Sequence, residues 1–239
     1  MKNETNNGLN DTEPKTLIKN SVKITPEPTL RRLPRYLHLL YYLREEGVED
    51  LSSTTIAEKM KLDPTQVRKD IQYTSITGKP KTGFKTSELI AAIEEYLNWN
   101  HISNSILFGA GSLGTAILGY NRFREIGLNF IAAFDSDPDK IGTTLKDIPI
   151  LPIEKLSETV KSFNVEIAVL TVPVNKSQSI TDLIVNAGIK AIWNFTPTHL
   201  QVPDSIVVEN AQLSQSLALL TRRLAEKVES DILLGRKGK

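Results

Sequence analysis

The hexapeptide Gly109-Ala110-Gly111-Ser112-Leu113-Gly114 carries the strongest signal in this sequence. It follows an apolar run, Ile106-Leu107-Phe108, and opens a helical pattern. Twenty-one residues beyond its last glycine stands Asp135, at the end of a second apolar run, Phe130 to Phe134. A strand, a Gly-x-Gly-x-x-Gly turn, a helix and an acidic residue at this distance together form the dinucleotide-binding fingerprint.

Each part of this fingerprint has a mechanical reason. Gly109 allows a tight turn, Gly111 lets the backbone approach a pyrophosphate, and Gly114 lets the helix pack closely on the strand. The pyrophosphate is expected on the unpaired N–H groups at the start of the helix. Asp135 is expected to bind the adenosine ribose and to repel a 2′-phosphate, which favours NAD and NADH as cofactors. The alternative is a glycine-rich turn that only joins a strand to a helix.

Composition limits the class of protein. The 239 residues are 40% hydrophobic and 24% charged, with a net charge of +1, as in a globular protein of two modest domains. Cysteine is absent, so disulfides, thiol catalysis and cysteine metal sites are excluded. No apolar stretch approaches the roughly eighteen residues of a membrane helix. The polar start, Met1 to Glu13, lacks the apolar core of a signal peptide, which predicts a cytoplasmic protein.

The pattern along the chain predicts an α/β fold with two domains and two flanking segments. Residues 1–28 are polar and lack periodicity, so we expect a disordered tail. Residues 29–100 follow helical patterns and predict a winged helix-turn-helix DNA-binding domain. Residues 101–209 alternate strands and helices, which predicts a Rossmann-type parallel sheet that binds NAD(H). The strands expected there are Ser105–Phe108, Phe130–Phe134, Glu166–Val172, Lys190–Asn194 and Ser205–Val208.

The last segment, residues 210–239, contains an amphipathic helix. Its apolar residues are spaced 4, 3, 4 and 4 apart, which places them on one helical face. No layer of the predicted sheet domain is left to cover this face, so we expect it to contact a second copy of the chain. The residues of this stripe are Leu213, Leu217, Leu220, Leu224 and Val228.

A basic cluster lies in the helical region. Residues 59–85 hold seven lysines and arginines against Asp63 and Asp70, a local charge of +5. Asp63-Pro64-Thr65-Gln66 is a well-formed helix start, and the residues past such a start contact base edges in a helix-turn-helix. Gln66 suits an adenine edge and Arg68 a guanine edge, while lysines suit phosphates. The alternative is a solvated basic face. The predicted DNA-binding residues are Thr65, Gln66, Arg68, Lys69, Lys79, Lys81 and Lys85.

The sequence offers no catalytic set. His38, His101 and His199 are not spaced as a metal site or a triad, so we predict no metal ion and no catalytic residue. A dehydrogenase needs a further domain with a general acid or base, and no sequence remains for one. The predicted class is a non-enzymatic DNA-binding regulator, with a Rossmann oxidoreductase as the competing class. Tyr120, expected on the nucleotide-binding helix, either packs in the core or touches the cofactor, and Trp193 is expected in the core.

Six motifs between about Thr29 and Val228 identify a family resemblance. They are Arg32-Leu33-Pro34-Arg35-Tyr36, Gln66-Val67-Arg68-Lys69-Asp70, Gly109 to Gly114, Ala133-Phe134-Asp135, Leu170-Thr171-Val172-Pro173, and Ala187-Gly188-Ile189-Lys190 leading to Asn194-Phe195-Thr196-Pro197. In these motifs the chain resembles the Rex family, bacterial redox-sensing transcriptional repressors that respond to the NADH/NAD ratio.

The resemblance implies a homodimer whose C-terminal helix is domain-swapped, inserting between the two domains of the partner. It also implies a palindromic operator, because a symmetric dimer requires half-sites related by its own two-fold axis. NADH would close the nucleotide domains and release the DNA. The interdomain switch would consist of Arg32, Tyr120 and Gln212. The expected cofactor-binding residues are Gly109, Ala110, Gly111, Ser112, Leu113, Gly114, Tyr120, Asp135, Thr171, Val172, Pro173, Asn194 and Phe195.

Three residues depart from the family pattern. Ser112 replaces an asparagine in the phosphate loop, and Phe84 replaces a tyrosine at the end of the wing. Gln212 stands where the family has the aspartate of the interdomain switch. A neutral glutamine cannot form the charged pair with Arg32, and charge-assisted hydrogen bonds are about twice as strong as neutral ones. NADH would then shift the two states by less, so we expect a weakened or altered NADH response, or a paralogue that holds NAD structurally.

Overall fold

The chain folds into two compact units that divide between Leu97 and Asn98. A computed structural model describes residues 24–80, 82–211 and 213–236, the last four of them for the backbone alone. The sequence predicts the division three residues later, between 100 and 101. Within the expected tail at 1–28, the described part already includes the start of a helix at Glu27.

The N-terminal unit packs around its first helix, α1 (Glu27–Glu45). Apolar residues recur along α1 at helical spacing, and Leu33, Leu37 and Leu40 are completely buried. The helix α4 (Thr86–Tyr96) lies against α1 and contributes further buried leucine and isoleucine side chains. The amphipathic pattern of the sequence therefore forms a small helical core.

Two shorter helices, α2 (Ser53–Met60) and α3 (Pro64–Ile71), form a helix-turn-helix. The Ser52 hydroxyl caps α2 and the Asp63 carboxylate caps α3, each accepting a backbone hydrogen bond of 3.0 Å. Lys61 adopts the left-handed conformation, with φ of 55°, and ends α2. The predicted start of α3 is confirmed.

A small wing completes the helix-turn-helix. The strand β1 (Asp50–Leu51) pairs antiparallel with β2 (Phe84–Lys85), and Lys79 and Gly83 exchange backbone hydrogen bonds of 2.6 and 2.9 Å. Gly83 has φ of +81°, and a Cβ on it would lie 2.4 Å from the carbonyl oxygen of Leu51. Only glycine fits this position. The backbone pairing confirms the hairpin predicted from the Lys/Pro/Gly-rich stretch.

The C-terminal unit is built on one sheet. Its strands are β3 (Ser103–Phe108), β4 (Leu128–Phe134), β5 (Thr144–Leu145), β6 (Ile148–Leu151), β7 (Ile167–Leu170), β8 (Ala191–Asn194) and β9 (Val207–Asn210). Their spatial order is β5-β6-β4-β3-β7-β8-β9, and neighbouring strands are parallel except for the β5–β6 pair. Its helices are α5 (Ser112–Leu118), α6 (Arg122–Glu125), α7 (Leu156–Phe163), α8 (Val174–Asn186) and α9 (Leu213–Arg236), while 3₁₀ helices span Gln72–Thr74 in the first unit and Ile153–Lys155 in the second.

The central strand β3 is buried on both faces. Ile106 and Phe108 join the core on one side of the sheet, and Leu107 joins the core on the other. A continuous apolar run is typical of such a parallel strand, since helices cover both faces of the sheet. The Rossmann-type sheet predicted from alternating strands and helices is confirmed.

The hairpin β5–β6 is not predicted from the sequence. It adds two strands beside β4, and its two-residue turn, Lys146-Asp147, has φ of 53° and 65°. Such a turn normally uses Asn or Gly, because both central residues need positive φ. Lysine and aspartate therefore gave no turn signal.

Tyr120 does not lie on the nucleotide-binding helix, contrary to the prediction. The helix α5 ends at Leu118, with Gly119 as its cap, and Tyr120 follows in the link to α6. The helix is shorter than its apolar pattern indicated because Gly119 and Asn121 interrupt it.

The last helix, α9, has 24 residues. Its apolar stripe is exposed in the single chain, with Leu213 at 68%, Leu220 at 64% and Leu224 at 61% exposure. Across the described residues, we find no helix with the length and apolarity to cross a membrane.

Candidate functional site

The glycine loop joins β3 to α5, and each glycine has its own steric reason. Gly109 has φ of +94°, and a Cβ there would lie 2.7 Å from the Thr171 carbonyl oxygen. A Cβ on Gly114 would lie 2.2 Å from the Gly109 carbonyl oxygen, so helix and loop touch there. Gly111 has open space within 4 Å, which leaves its backbone accessible to a ligand.

Asp135 follows β4 directly and lies beside the loop, because β3 and β4 are adjacent and parallel. One of its carboxylate oxygens accepts a hydrogen bond from the Ala110 backbone N–H at 2.8 Å. The other accepts from the Asp137 N–H at 3.0 Å. Lys140 Nζ lies 3.3 Å from the oxygen that Ala110 also contacts. Burial raises the pKa of this carboxyl group, but these hydrogen bonds outweigh it and hold the pKa below its ordinary value.

Thr171 closes the loop from the other side, after β7. Its hydroxyl donates to the carbonyl oxygens of Phe108 and Gly109, at 2.9 and 2.8 Å. The neighbouring Val172 side chain also lies against Gly109. These contacts brace the glycine loop, so Thr171 and Val172 have a structural role in addition to their predicted contact with a cofactor.

Asn194 ends β8, and the structure gives its side chain a supporting role. It is fully buried, and its amide donates to the Thr198 carbonyl oxygen and to Asn210. Its oxygen accepts from the N–H and the hydroxyl of Thr196. The side chain therefore fixes the loop after β8, and its contact with a cofactor stays a prediction.

A chain of aromatic rings links Tyr120 to the end of β8. Tyr120 packs edge-on against Phe123 at 4.8 Å between ring centroids, and Phe123 packs against Trp193 at 5.2 Å. Trp193 in turn lies 4.7 Å from Phe195. Tyr120 is still 53% exposed, so it packs on Phe123 and remains accessible from solvent.

The predicted cofactor residues on β3, β4, β7 and β8 share one edge of the sheet. Each lies at the carboxyl end of its strand or just beyond it, and these strands are parallel neighbours. The chain order reverses at β3, where β4 lies on one side and β7 on the other. Open α/β sheets bind their ligands at such a switch point, outside the carboxyl ends of the strands.

The helix-turn-helix exposes part of the predicted DNA-binding set. The exposed members are Thr65, Arg68, Lys69 and Lys79. Within residues 24–80, 82–211 and 213–236, the structure shows no ion pair for the arginine or for these two lysines. Lys85 is different, because its Nζ lies 3.3 Å from Asp50 and 4.0 Å from Glu49. Lys81 lies outside the described residues.

Asp70 forms a buried network that the sequence does not predict. It lies on α3 and accepts hydrogen bonds from Thr29 at 2.9 Å and Tyr36 at 2.7 Å. Arg32 donates to both carboxylate oxygens, at 2.6 and 2.9 Å, and Gln66 donates at 2.9 Å. The Gln66 amide is thus turned towards Asp70, and its contact with an adenine edge stays a prediction. Burying a carboxylate is costly unless its charge is paired and hydrogen-bonded, and these donors meet that need.

This network changes the charge balance on the exposed surface of α3. The sequence predicts that Asp70 opposes the basic cluster. In the structure its charge is paired with Arg32, so it does not offset the positive charge of the exposed lysines and arginine. Burial raises the pKa of Asp70, but the hydrogen bonds, that of Arg32 foremost, lower it below its ordinary value. The bond to Asp70 in turn raises the pKa of Arg32. Both groups are charged at neutral pH.

The remaining predictions concern the switch and metals. Arg32 lies in the Asp70 network, while Gln212 lies outside the described residues. The described part of the chain contains no cluster of His, Asp or Glu residues suited to a metal ion.

These features define the class of protein: a winged helix-turn-helix followed by a Rossmann unit with a dinucleotide fingerprint. Residues 24–71 match a family model described as "Putative DNA-binding protein N-terminus". Residues 100–198 match a model described as a CoA binding domain. The two matches fall on the two compact units.

The chain belongs to the Rex family of redox-sensing transcriptional repressors, which confirms the resemblance drawn from its motifs. It is 47% identical to the repressor Rex of Treponema denticola over 83% of this chain and 94% of the relative. It is 43% identical to Rex of Bacteroides fragilis, over 86% and 93% of the two chains. A solved Rex-family repressor, RSP, in complex with β-NADH has a TM-score of 0.80 and 34% identity, covering 88% of this chain and 98% of that one. RSP has also been solved with β-NAD+ and operator DNA.

Proposed function

We propose that this protein is a redox-sensing transcriptional repressor that binds palindromic operator DNA as a homodimer and responds to NADH and NAD. The observation that supports the proposal is that one chain of this family contains both a nucleotide-binding loop and a DNA-binding motif. One is the glycine loop with Asp135, and the other is the cationic helix-turn-helix with its wing. We further propose that it catalyses no reaction and acts in the cytoplasm, where operator DNA is found.

The nucleotide is proposed to lie across the carboxyl ends of β3 and β4. Gly111 leaves room for a pyrophosphate, and Ser112 begins the helix on which it would rest. Two backbone N–H groups fix the Asp135 carboxylate, which would accept hydrogen bonds from the adenosine ribose hydroxyls. Relatives that bind NADH and NAD+ support this choice of cofactor.

Operator DNA is proposed to contact the start of α3 and the wing. Thr65, Arg68 and Lys69 are exposed on α3, and Lys79 is exposed on the wing. Arginine suits a guanine edge, and lysines neutralise phosphates. Gln66 stays in the proposed base-reading set, and its amide would have to exchange Asp70 for an adenine edge.

The homodimer is proposed to form through α9. An exposed stripe of leucines on a 24-residue helix needs a partner, because soluble proteins seldom leave such a face in water. A swapped helix, as the family resemblance implies, would cover it. The dimer would then present two DNA-binding units to the two halves of a palindrome.

A gel-shift titration on a palindromic operator tests the proposal. The full chain is titrated with NADH, with NAD+ and with neither, at one fixed salt concentration, since phosphate contacts make DNA affinity steeply salt-dependent. We expect binding without nucleotide or with NAD+ and weaker binding with NADH. Turnover of NADH with a small carbonyl, without any DNA binding, would instead favour an oxidoreductase.

The same titration tests whether the neutral Gln212 weakens the NADH response. Because a ligand shifts an equilibrium only by its differential affinity, we expect Gln212→Asp to strengthen the NADH response by restoring a charged partner. Gln215→Asp makes the same chemical change three residues further on and is the matched control. An NADH response that is complete in the natural chain and unchanged in Gln212→Asp contradicts this expectation.

A further inference from the structure

Lys140 lies against the acidic residue of the nucleotide fingerprint. Its Nζ is 3.3 Å from one Asp135 oxygen and 3.6 Å from one Asp137 oxygen. Hydrogen bonds fix the turn that carries it, because the Asp137 carbonyl oxygen accepts from the Lys140 N–H and the Asp137 carboxylate accepts from the Asp139 N–H. The cation is thus positioned by the turn that follows β4.

The backbone already holds Asp135 in place without Lys140. The N–H groups of Ala110 and Asp137 occupy one direction on each carboxylate oxygen. Lys140 is 39% exposed, and exposed ion pairs add little to folding stability. Its contribution to this region is therefore chiefly its charge, which offsets one of the two carboxylates beside it.

We propose that Lys140 sets how strictly this site discriminates between NADH and NADPH. The inference deepens the proposed function and depends on nucleotide binding at the glycine loop. Asp135 rejects a 2′-phosphate by charge repulsion. With Lys140 present, Asp135 and Asp137 leave a local charge of −1, and without it they leave −2. A lysine side chain is also long and flexible enough to turn from Asp135 towards a 2′-phosphate, so it relaxes the rejection of NADPH.

Direct nucleotide binding to the full chain tests this inference. Dissociation constants for NADH and NADPH are measured by calorimetry for the natural chain and for Lys140→Met. We expect NADPH to bind about fivefold more weakly to the variant, the effect of one exposed ion pair. NADH should change by less than about twofold, because its ribose hydroxyls carry no charge. The NADPH effect should shrink at high salt, where exposed charges are screened.

Two further variants separate charge from structure. Lys140→Arg keeps the cation and should keep the natural ratio of the two dissociation constants. Lys190→Met removes the same charge at the amino end of β8, away from the carboxyl ends of the strands, and should leave the ratio unchanged.

The outcomes are distinguishable. If the natural chain binds neither nucleotide, the proposed function fails and this inference fails with it. If NADH binds but Lys140→Met leaves the NADPH to NADH ratio unchanged, the inference alone is overturned. A change of the ratio that Lys190→Met reproduces also overturns it, because the effect would then be one of net charge.

Discussion

Asp70 is buried on α3 and accepts hydrogen bonds from side chains of both α1 and α3. Thr29, Arg32 and Tyr36 reach it from α1, and Gln66 reaches it from its own helix. A buried carboxylate is stable only when its charge is paired and its lone pairs are filled, and both conditions are met here. This single residue therefore fixes α3 to α1, the first helix of the unit.

Replacing Asp70 tests this link at the scale of one residue. Asp70→Asn removes the charge that Arg32 needs, and breaking a buried ion pair costs about 3 kcal/mol. We expect faster amide hydrogen exchange in peptides from α1 and α3, measured on the full chain, and weaker DNA binding. Asp139→Asn is the control, since that residue is exposed. Unchanged protection of α1 and α3 in Asp70→Asn would contradict the proposed role.

The pH dependence follows from the direction of the pKa shift. Because the pKa of Asp70 is lowered in the folded state, its stabilising contribution is fully present above its unfolded pKa of about 3.9. That contribution is lost as the pH falls through the lower, folded pKa. The difference in protection between the natural chain and Asp70→Asn should therefore be constant from pH 5 to 8 and narrow only below about pH 4.

At the scale of elements, two glycines in the turn from β3 into α5 have different roles, one in folding and one in ligand binding. A Cβ on Gly114 meets the Gly109 carbonyl oxygen at 2.2 Å, whereas a Cβ on Gly111 meets nothing within 4 Å. The same substitution at these two positions thus has different physical consequences. One forces helix and loop apart, and the other occupies space that a ligand would need.

We predict that Gly114→Ala destabilises the C-terminal unit and that Gly111→Ala does not. Overpacking typically costs about 1–3 kcal/mol, and here the obstacle is backbone that cannot rotate away. Gly111→Ala should keep the natural thermal unfolding profile but bind NADH at least about tenfold more weakly, because the backbone must approach the pyrophosphate there. Calorimetric unfolding and NADH titration check both variants. Equal thermal destabilisation by the two substitutions would refute this distinction.

Elements with strong local signals could be predicted from the sequence. The apolar run of β3, the glycine loop and the capped start of α3 each follow from a pattern within a few residues. The β5–β6 hairpin could not, because Lys146 and Asp147 adopt positive φ without the usual glycine or asparagine. The network around Asp70 could not either, since Arg32 and Asp70 are 38 residues apart and only tertiary packing brings them together.

At the scale of the whole molecule, the described part of the chain leaves the apolar stripe of α9 exposed. The stripe runs along a helix about 36 Å long, and its leucines are more than half exposed. Without a partner this face would be a liability for solubility, so it has the properties of an interface. The two DNA-binding units of a dimer would bind one palindrome together, and each would gain affinity from being tethered to the other.

We predict that Leu220→Lys combined with Leu224→Lys converts a dimer into a monomer. Each introduced lysine would place a charge in an apolar contact, and two-fold symmetry repeats the effect on the partner. The dimer dissociation constant should rise by at least about a hundredfold, since losing one buried anchor typically costs about 2 kcal/mol or more. Sedimentation over a range of concentrations measures this constant, with Ala218→Lys, away from the stripe, as the control. The variant should also lose most operator affinity while still binding NADH, because the glycine loop lies in a single chain. A natural chain that sediments as a monomer at every concentration would contradict the prediction.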